Sequence, residues 1–200
     1  MNLPIPPSLQ AVHLTFDDGP GRHTPAIVDI LTQHDVRATF YLIGNRVVRY
    51  PDQARRIASQ GHQIGNHSWS HPYLTSLDAA GITQEIQSTQ EAIETATGLR
   101  PSLLRPPFGA VNADVEAAVA QSGLTMAMWT IDPQDWLEVR EASDIVDCVL
   151  AQAQVQAQAQ PGGVVLLHVN HQHTVDALPG IITGLRKLGL KLDSLTGCAQ

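Results

Sequence analysis

Residues 11–20 read AVHLTFDDGP: an apolar run, Ala11–Phe16, then two adjacent carboxylates, Asp17 and Asp18, then a Gly-Pro break. The apolar run predicts a buried β-strand, and Gly19-Pro20 predicts its end. Two neighbouring negative charges at the mouth of a buried strand cost free energy unless something offsets them. A metal ion or a proton-transfer role would do so. Asp, Gly and Pro are also ordinary turn residues, so the surrounding sequence has to decide between site and turn.

Working outward, strand and helix patterns alternate. Thr24 reads as the N-cap of a helix over Pro25–His34, with Pro25 in its first turn. A strand follows at Ala38–Ile43, a helix at Gln53–Gln60 and a short strand at His62–Gly65. Ala79–Thr97 has the spacing of a long amphipathic helix, closed by Gly98. Then come a strand at Ser102–Arg105, a helix at Ala113–Gln121 closed by Gly123, and a strand at Leu124–Ile131. A helix over Ser143–Gln160, capped by Ser143, a strand at Gly163–Val169 and a helix at Val175–Leu188 complete the pattern. The Ala/Gln-rich stretch at 151–160 suits an exposed helix end. Six or seven such units imply an α/β fold with a mainly parallel sheet. An open doubly wound sheet and a barrel both fit. The barrel is favoured because polar clusters follow most strands, as they do where a site is drawn from many strand ends.

The 200 residues suit one domain, and 43% hydrophobic with 16% charged residues is ordinary globular composition. A net charge of −7 argues against a nucleic-acid or anionic-membrane partner. No apolar run reaches membrane-spanning length. The start, MNLPIPPSLQ, lacks signal-peptide features, which suits a cytoplasmic protein or one trimmed of its leader. Cys148 and Cys198 lack metal-ligand spacing and fit a disulfide or two free thiols equally well.

His67 and His71, in HSWSH, stand four apart and at helical spacing share a face. With Asp18 they make two imidazoles and a carboxylate, a three-ligand set that leaves room for water on a catalytic metal. Asp17 is then free to act as general base, which gives the doublet a reason. RPPFG, Arg105–Gly109, reads either as a Pro-rich turn or as a buried Arg105 paired to Asp17. DPQDW, Asp132–Trp136, places carboxylates past a strand, with Trp136 otherwise a core residue. His168 ends the apolar strand GVVLLH and could protonate a leaving group. His171 and His173 could be extra ligands but read better as surface residues.

Taken together, TFDDGP, HSWSH, RPPFG, DPQDW and LLH, in that order, resemble the five motifs of the polysaccharide deacetylase family (NodB homology, carbohydrate esterase family 4). The order and DPQDW look like its chitooligosaccharide deacetylases and acetylxylan esterases. The resemblance implies a single-domain distorted (β/α)7 barrel over residues 11–193 and removal of acetyl groups from N-acetylated oligo- or polysaccharides. By the same resemblance Asp17 is the catalytic base, Arg105 orients it, and Asp18, His67 and His71 hold a divalent metal, zinc or else cobalt. The backbone N–H of Phe108 stabilises the oxyanion, Asp135 orients the general acid His168, and Pro107, Trp136 and Leu166 form the acetyl pocket. Two positions depart from the family pattern. Phe108 stands where Tyr is usual, and His168-Val169-Asn170 stands where His-Asp is usual.

O-acetyl xylan, a non-sugar amide or a non-catalytic carbohydrate-binding role are alternatives on the same scaffold. A non-haem iron oxygenase also uses two histidines and a carboxylate, but the spare aspartate, Arg105 and the parallel α/β pattern speak against it. Few aromatics and short loops favour an open groove for short oligosaccharides or chain ends.

Overall fold

The computed structural model describes residues 11–159 and 162–195, so Cys198, Gln160 and the first ten residues lie outside the described residues. In chain order the elements are β1 (Ala11–Gly19), α1 (Thr24–Gln33), β2 (Thr39–Leu42), α2 (Gly44–Arg49), α3 (Pro51–Ser59), β3 (Gln63–Asn66), α4 (Ala79–Thr97), β4 (Leu103–Leu104), α5 (Ala113–Gln121), β5 (Thr125–Met126), α6 (Ala142–Ala159), β6 (Gly163–His168), α7 (Gln172–Lys187) and β7 (Lys191–Leu192). All strand pairs are parallel, in the order β5-β4-β3-β2-β1-β6, with β7 beside the first residues of β1. An isolated bridge between Ile131 and Val165 joins the chain beyond β5 to β6 and draws the curled sheet toward closure. The architecture is the distorted (β/α)7 barrel that the resemblance implies, and the alternation of elements is consistent with it.

The main core lies between the sheet and its helices. Leu14, Phe16, Phe40, Leu42, Val165 and Leu167 pack with Ile27, Leu31, Leu178 and Ile182 from the flanking helices. Each such side chain contributes about 1.5–3 kcal/mol on burial, and β6 is apolar at almost every position because both its faces are covered. A smaller group, with Tyr41, Leu103, Ala127 and Val164, lies where Arg105 enters. The Arg105 guanidinium sits 4.1 Å from the Tyr41 ring centroid. A side chain on Gly65 would come within 2.4 Å of that ring, so glycine there lets Tyr41 lie flat under the arginine. No described helix is long and apolar enough to cross a membrane.

Several elements depart from the sequence pattern for visible reasons. The strand expected over Leu124–Ile131 survives only at Thr125–Met126 and in the Ile131 bridge. The carbonyls of Ala127 and Met128, which a strand would give to a neighbour, instead accept from Arg105 Nε and Nη2 at 3.1 and 3.2 Å. Helix α2 was not anticipated, and α3 starts at Pro51 rather than Gln53. Thr24 does not cap α1; its hydroxyl accepts from Gly21 N–H in the preceding turn. Ser143 lies inside α6, and Asp144 accepts from Glu141 N–H instead. Helix α7 begins at Gln172, three residues before the expected start. By contrast α4, with left-handed Gly98 as its C-cap, and α5 have the expected bounds.

Candidate active site

A bulge places the two carboxylates together. Strand β1 pairs with β2 at Thr15↔Thr39 and Phe16↔Phe40, but next at Gly19↔Leu42, so β1 carries one extra residue. In a regular strand Asp17 and Asp18 would point to opposite faces. The bulge, with Asp18 in the left-handed conformation at φ 67°, brings both carboxylates to one cavity. Asp tolerates that conformation better than most residues. On its other edge β1 keeps regular register with β6, and Asp17 lies directly opposite His168.

That cavity, about 540 Å³, opens at the C-terminal ends of the strands. Asp17, Asp18, His67, His71, Leu166 and His168 line it, with the aromatic rings of Tyr73, Phe108, Trp129 and Trp136. Asp132 and His171 complete the wall.

Arg105 is fully buried, and its Nη1 donates to Thr15 Oγ1 and Asp17 Oδ1, both at 2.8 Å. The segment does turn at Pro107–Gly109, but Arg105 is not the surface arginine of the Pro-rich-turn reading. The Arg105 carbonyl also pairs with His67 Nδ1 at 2.7 Å, so one residue orients an acid and an imidazole. His67 Nε2 is left facing Asp18 Oδ1 at 3.6 Å, and His71 Nε2 lies 3.2 Å from the same oxygen. These three ligand atoms lie within 4.8 Å of one another. Asp18 Oδ1 is buried without a hydrogen-bond partner. An orphaned carboxylate oxygen between two imidazole nitrogens is what a divalent cation would satisfy, so the residues fit a metal. Burial alone would raise the Asp18 pKa, but the facing His67 ring, with charge from His71, outweighs it and holds the carboxyl well below its usual range. Burial and the neighbouring His67 push His71 down, which favours its neutral form, the form that binds metal.

The HSWSH segment is not helical, contrary to the spacing argument. A loop after β3, with Ser68 and His71 both left-handed, brings the two rings to 4.9 Å between centroids. Glu85 on α4 holds this loop by accepting from Trp69 N–H, Ser70 N–H and Ser70 Oγ at 2.7–2.8 Å. Ser68 Oγ accepts from His71 N–H. Nothing in the motif itself points to Glu85.

On the opposite wall, Asp135 is fully buried. Its Oδ1 lies 2.7 Å from His168 Nδ1, and its Oδ2 accepts from His168 N–H and Thr174 Oγ1. Burial works to lower His168, but the Asp135 hydrogen bond and charge prevail and raise its pKa to about 9. Among the described residues His168 Nε2 has no hydrogen-bond partner. His173 pairs with the Asp135 carbonyl, and His171 lines the cavity, so neither is the plain surface residue expected. Gln152 engages both the N–H and the carbonyl of Asp132, which gives the Ala/Gln-rich helix a positioning contact.

Trp136 is 47% exposed at the cavity wall, not a core residue. Leu166 reaches the cavity, whereas Pro107 is buried and does not line it. Phe108 is left-handed at φ 59°, and its N–H has no protein acceptor among the described residues. Its ring stacks on Tyr73 at 4.1 Å and meets His71 edge-on at 4.6 Å. The arrangement can hold a cation, take a proton on one side and give one on the other.

Comparison with known proteins agrees with this geometry. The polysaccharide deacetylase family model matches residues 5–127. The peptidoglycan N-acetylmuramic acid deacetylase PdaC of Bacillus subtilis is 38% identical over 189 residues, which cover 94% of this chain and 38% of that protein. A chitooligosaccharide deacetylase of Rhizobium leguminosarum bv. trifolii is 40% identical over 199 residues, covering 92% of this chain and 89% of that one. The structure also superposes, with a TM-score of 0.86 and 31% identity, on a carbohydrate esterase family 4 pseudoenzyme from Bacillus anthracis, covering 94% of this chain and 65% of that one. The chain spans about two fifths of the length of PdaC and of the Listeria monocytogenes peptidoglycan-N-acetylglucosamine deacetylase PgdA. By family model, by identity across nearly its whole length and by fold, this chain belongs to the polysaccharide deacetylase family.

Proposed function

We propose that residues 11–193 act as a metal-dependent hydrolase that removes acetyl groups from N-acetylated sugars in chito-oligosaccharide or peptidoglycan chains. One observation carries the reading: a single cavity brings together a carboxylate held by Arg105, a three-ligand cluster and a histidine held by Asp135. Asp18, His67 and His71 would hold the ion, with zinc favoured by a mixed imidazole–carboxylate set that leaves positions open. Bound there, a divalent cation would polarise the amide carbonyl and make the attacking water more acidic.

The remaining chemistry belongs to the chain. Asp17 Oδ1 is engaged by Arg105, so Oδ2 accepts the proton of the attacking water. The Phe108 N–H supplies a fixed donor to the carbonyl oxygen as negative charge builds on it. His168 Nε2 gives its proton to the amine nitrogen as the carbon–nitrogen bond breaks, releasing acetate and the free amino sugar. Leu166 and Trp136 offer apolar surface to the methyl group, and Tyr73 and Trp129 offer faces on which sugar rings can stack.

A family member described as a pseudoenzyme shows that membership alone does not guarantee turnover. Asp17 and His168, each with its buried partner, favour catalysis over binding here. An amine leaves poorly without protonation, so the Asp135–His168 pair favours an N-acetyl substrate over an O-acetyl one. The test is acetate release from N-acetylglucosamine oligomers, peptidoglycan and acetylated xylan, using protein stripped by chelator and reloaded with zinc or cobalt. Release should need metal and fall about 10²- to 10⁴-fold in Asp17→Asn. Metal-bound protein that releases acetate from none of these would overturn the reading.

A further inference from the structure

A second pocket of about 460 Å³ adjoins the first and differs from it in character. Arg22, Arg46 and Arg49 line it with Asn45, Tyr50 and Asn170. Among the described residues no carboxylate lines it. In a chain of net charge −7, three of the twelve Lys and Arg residues gather here. Among the described residues none of the three is in an ion pair, whereas Arg55, Arg56, Arg100 and Arg105 each have one. Like charges left together without counter-ions repel, so such a cluster favours an incoming anion.

One member of the cluster is also held in place. Arg46 is half-buried, and one of its nitrogens donates to the Asp18 carbonyl and to Asn170 Oδ1. The Arg49 guanidinium lies 5.2 Å from the Tyr50 ring centroid. Arg22 and Arg49 are exposed and free to take a planar carboxylate in bidentate fashion. Asn170 belongs to the wall between the two cavities, since its amide donates to Asp18 Oδ2 at 2.9 Å. A glycan whose acetylated sugar sits in the aromatic cavity and whose chain runs over Asn170 would carry its neighbouring sugar past these arginines.

We propose that this pocket is a subsite for a carboxylate borne on a sugar adjacent to the one deacetylated. The inference rests on the glycan reading of the first cavity and extends it: the preferred chain is acidic, as in peptidoglycan with its lactyl ethers, rather than neutral, as in chitin fragments.

The experiment uses a matched pair of probes: N-acetylglucosamine β-1,4-linked to N-acetylmuramic acid, and diacetylchitobiose, which differ only in the 3-O-lactyl group that bears the carboxylate. Both are titrated calorimetrically into zinc-loaded protein in the Asp17→Asn background, so that acetate release is slow against the titration. The acidic disaccharide should bind about five- to tenfold more tightly at low salt, and less so as salt is raised. The preference should disappear in Arg22→Gln/Arg49→Gln and reverse in Arg22→Glu/Arg49→Glu; both positions are exposed and neither substitution threatens the fold. Equal affinity for the two disaccharides, or a preference untouched by these substitutions, overturns the inference. So does free lactate binding as tightly as the acidic disaccharide, since the site would then take an anion and not a glycan. Wild-type acetate release from chitotetraose reports separately on the deacetylase reading. Release without any acidic preference would remove the subsite and leave that reading standing.

Discussion

Asn170 stands between Arg46 and Asp18: its amide donates to Asp18 Oδ2 at 2.9 Å, and its carbonyl accepts from Arg46 Nη1 at 3.0 Å. The family's usual aspartate directly after the catalytic histidine is here Val169, buried against Gly19 and Gly21. Asn170 supplies a donor that an aspartate could not, and so fixes Asp18 with Oδ1 turned to the two histidines. Partners behind a metal ligand of this kind are worth roughly 10- to 100-fold in affinity. Asn170→Ala should therefore bind zinc about tenfold more weakly in a chelator competition, with its melting temperature little changed because Asn170 is exposed. Zinc affinity within twofold of wild type would remove this role.

Glu85 is a second such partner, at the far side of the ligand set. Its carboxylate accepts three hydrogen bonds from the loop between His67 and His71. Glu85→Ala leaves two N–H groups and a hydroxyl without that acceptor and should cost about 1–3 kcal/mol in urea unfolding. Zinc affinity should fall too, because His71 depends on the loop's left-handed turns. Glu85→Gln, which keeps an acceptor oxygen, should recover part of both.

Arg105 tests a different balance. A buried ion pair is weak evidence for net stability, but removing one partner strands the other. Arg105→Leu would leave Asp17 buried and uncompensated and would free the carbonyls of Ala127 and Met128. A loss of about 3–5 kcal/mol is expected, read as a lower urea midpoint at unchanged slope. Asp17→Asn/Arg105→Leu should be less destabilised than the sum of its parts, because the stranded charge is gone. Strict additivity would mean that the pair is not energetically coupled.

Much of this site was legible because its motifs sit at strand ends, where parallel α/β barrels collect their chemistry. Asp17, Asp18, His67, His71, Arg105, Asp135 and His168 all gather where the five segments predict. What sequence could not supply is backbone geometry that follows no period. The β1 bulge that turns Asp18 beside Asp17 has no apolar signature. The loop carrying His67 and His71 mimics helical spacing without being a helix. Strand Leu124–Ile131 reads as continuous, yet a distant arginine takes two of its carbonyls. Glu85, Gln152 and Asn170 act through backbone or ligand contacts 15 or more residues away in the chain, and single-sequence patterns hold no trace of such pairings.

On the proposed mechanism the Asp135–His168 pair sets the alkaline side of the pH profile. In the folded protein His168 titrates at about 9, above the ordinary histidine value of 6.5; burial opposes this rise, and the hydrogen bond and charge of Asp135 produce it. A general acid must be protonated in the free enzyme, so kcat/KM should fall as pH rises through the His168 pKa. A cation bound at Asp18 lowers that pKa in wild type and variant alike, so the informative quantity is the difference between them. Asp135→Asn keeps a hydrogen-bond acceptor but removes the charge, and its alkaline limb should move at least one pH unit lower than that of wild type. The same shift bears on stability, with the opposite reading at each end. Because the folded pKa is raised, the pair stabilises the fold fully below about pH 6.5, and that contribution is lost as pH climbs through about 9. Urea midpoints of wild type should therefore decline between those values more steeply than those of Asp135→Asn. Superimposable pH profiles for the two proteins, in activity and in stability, would show that Asp135 does not hold the proton on His168.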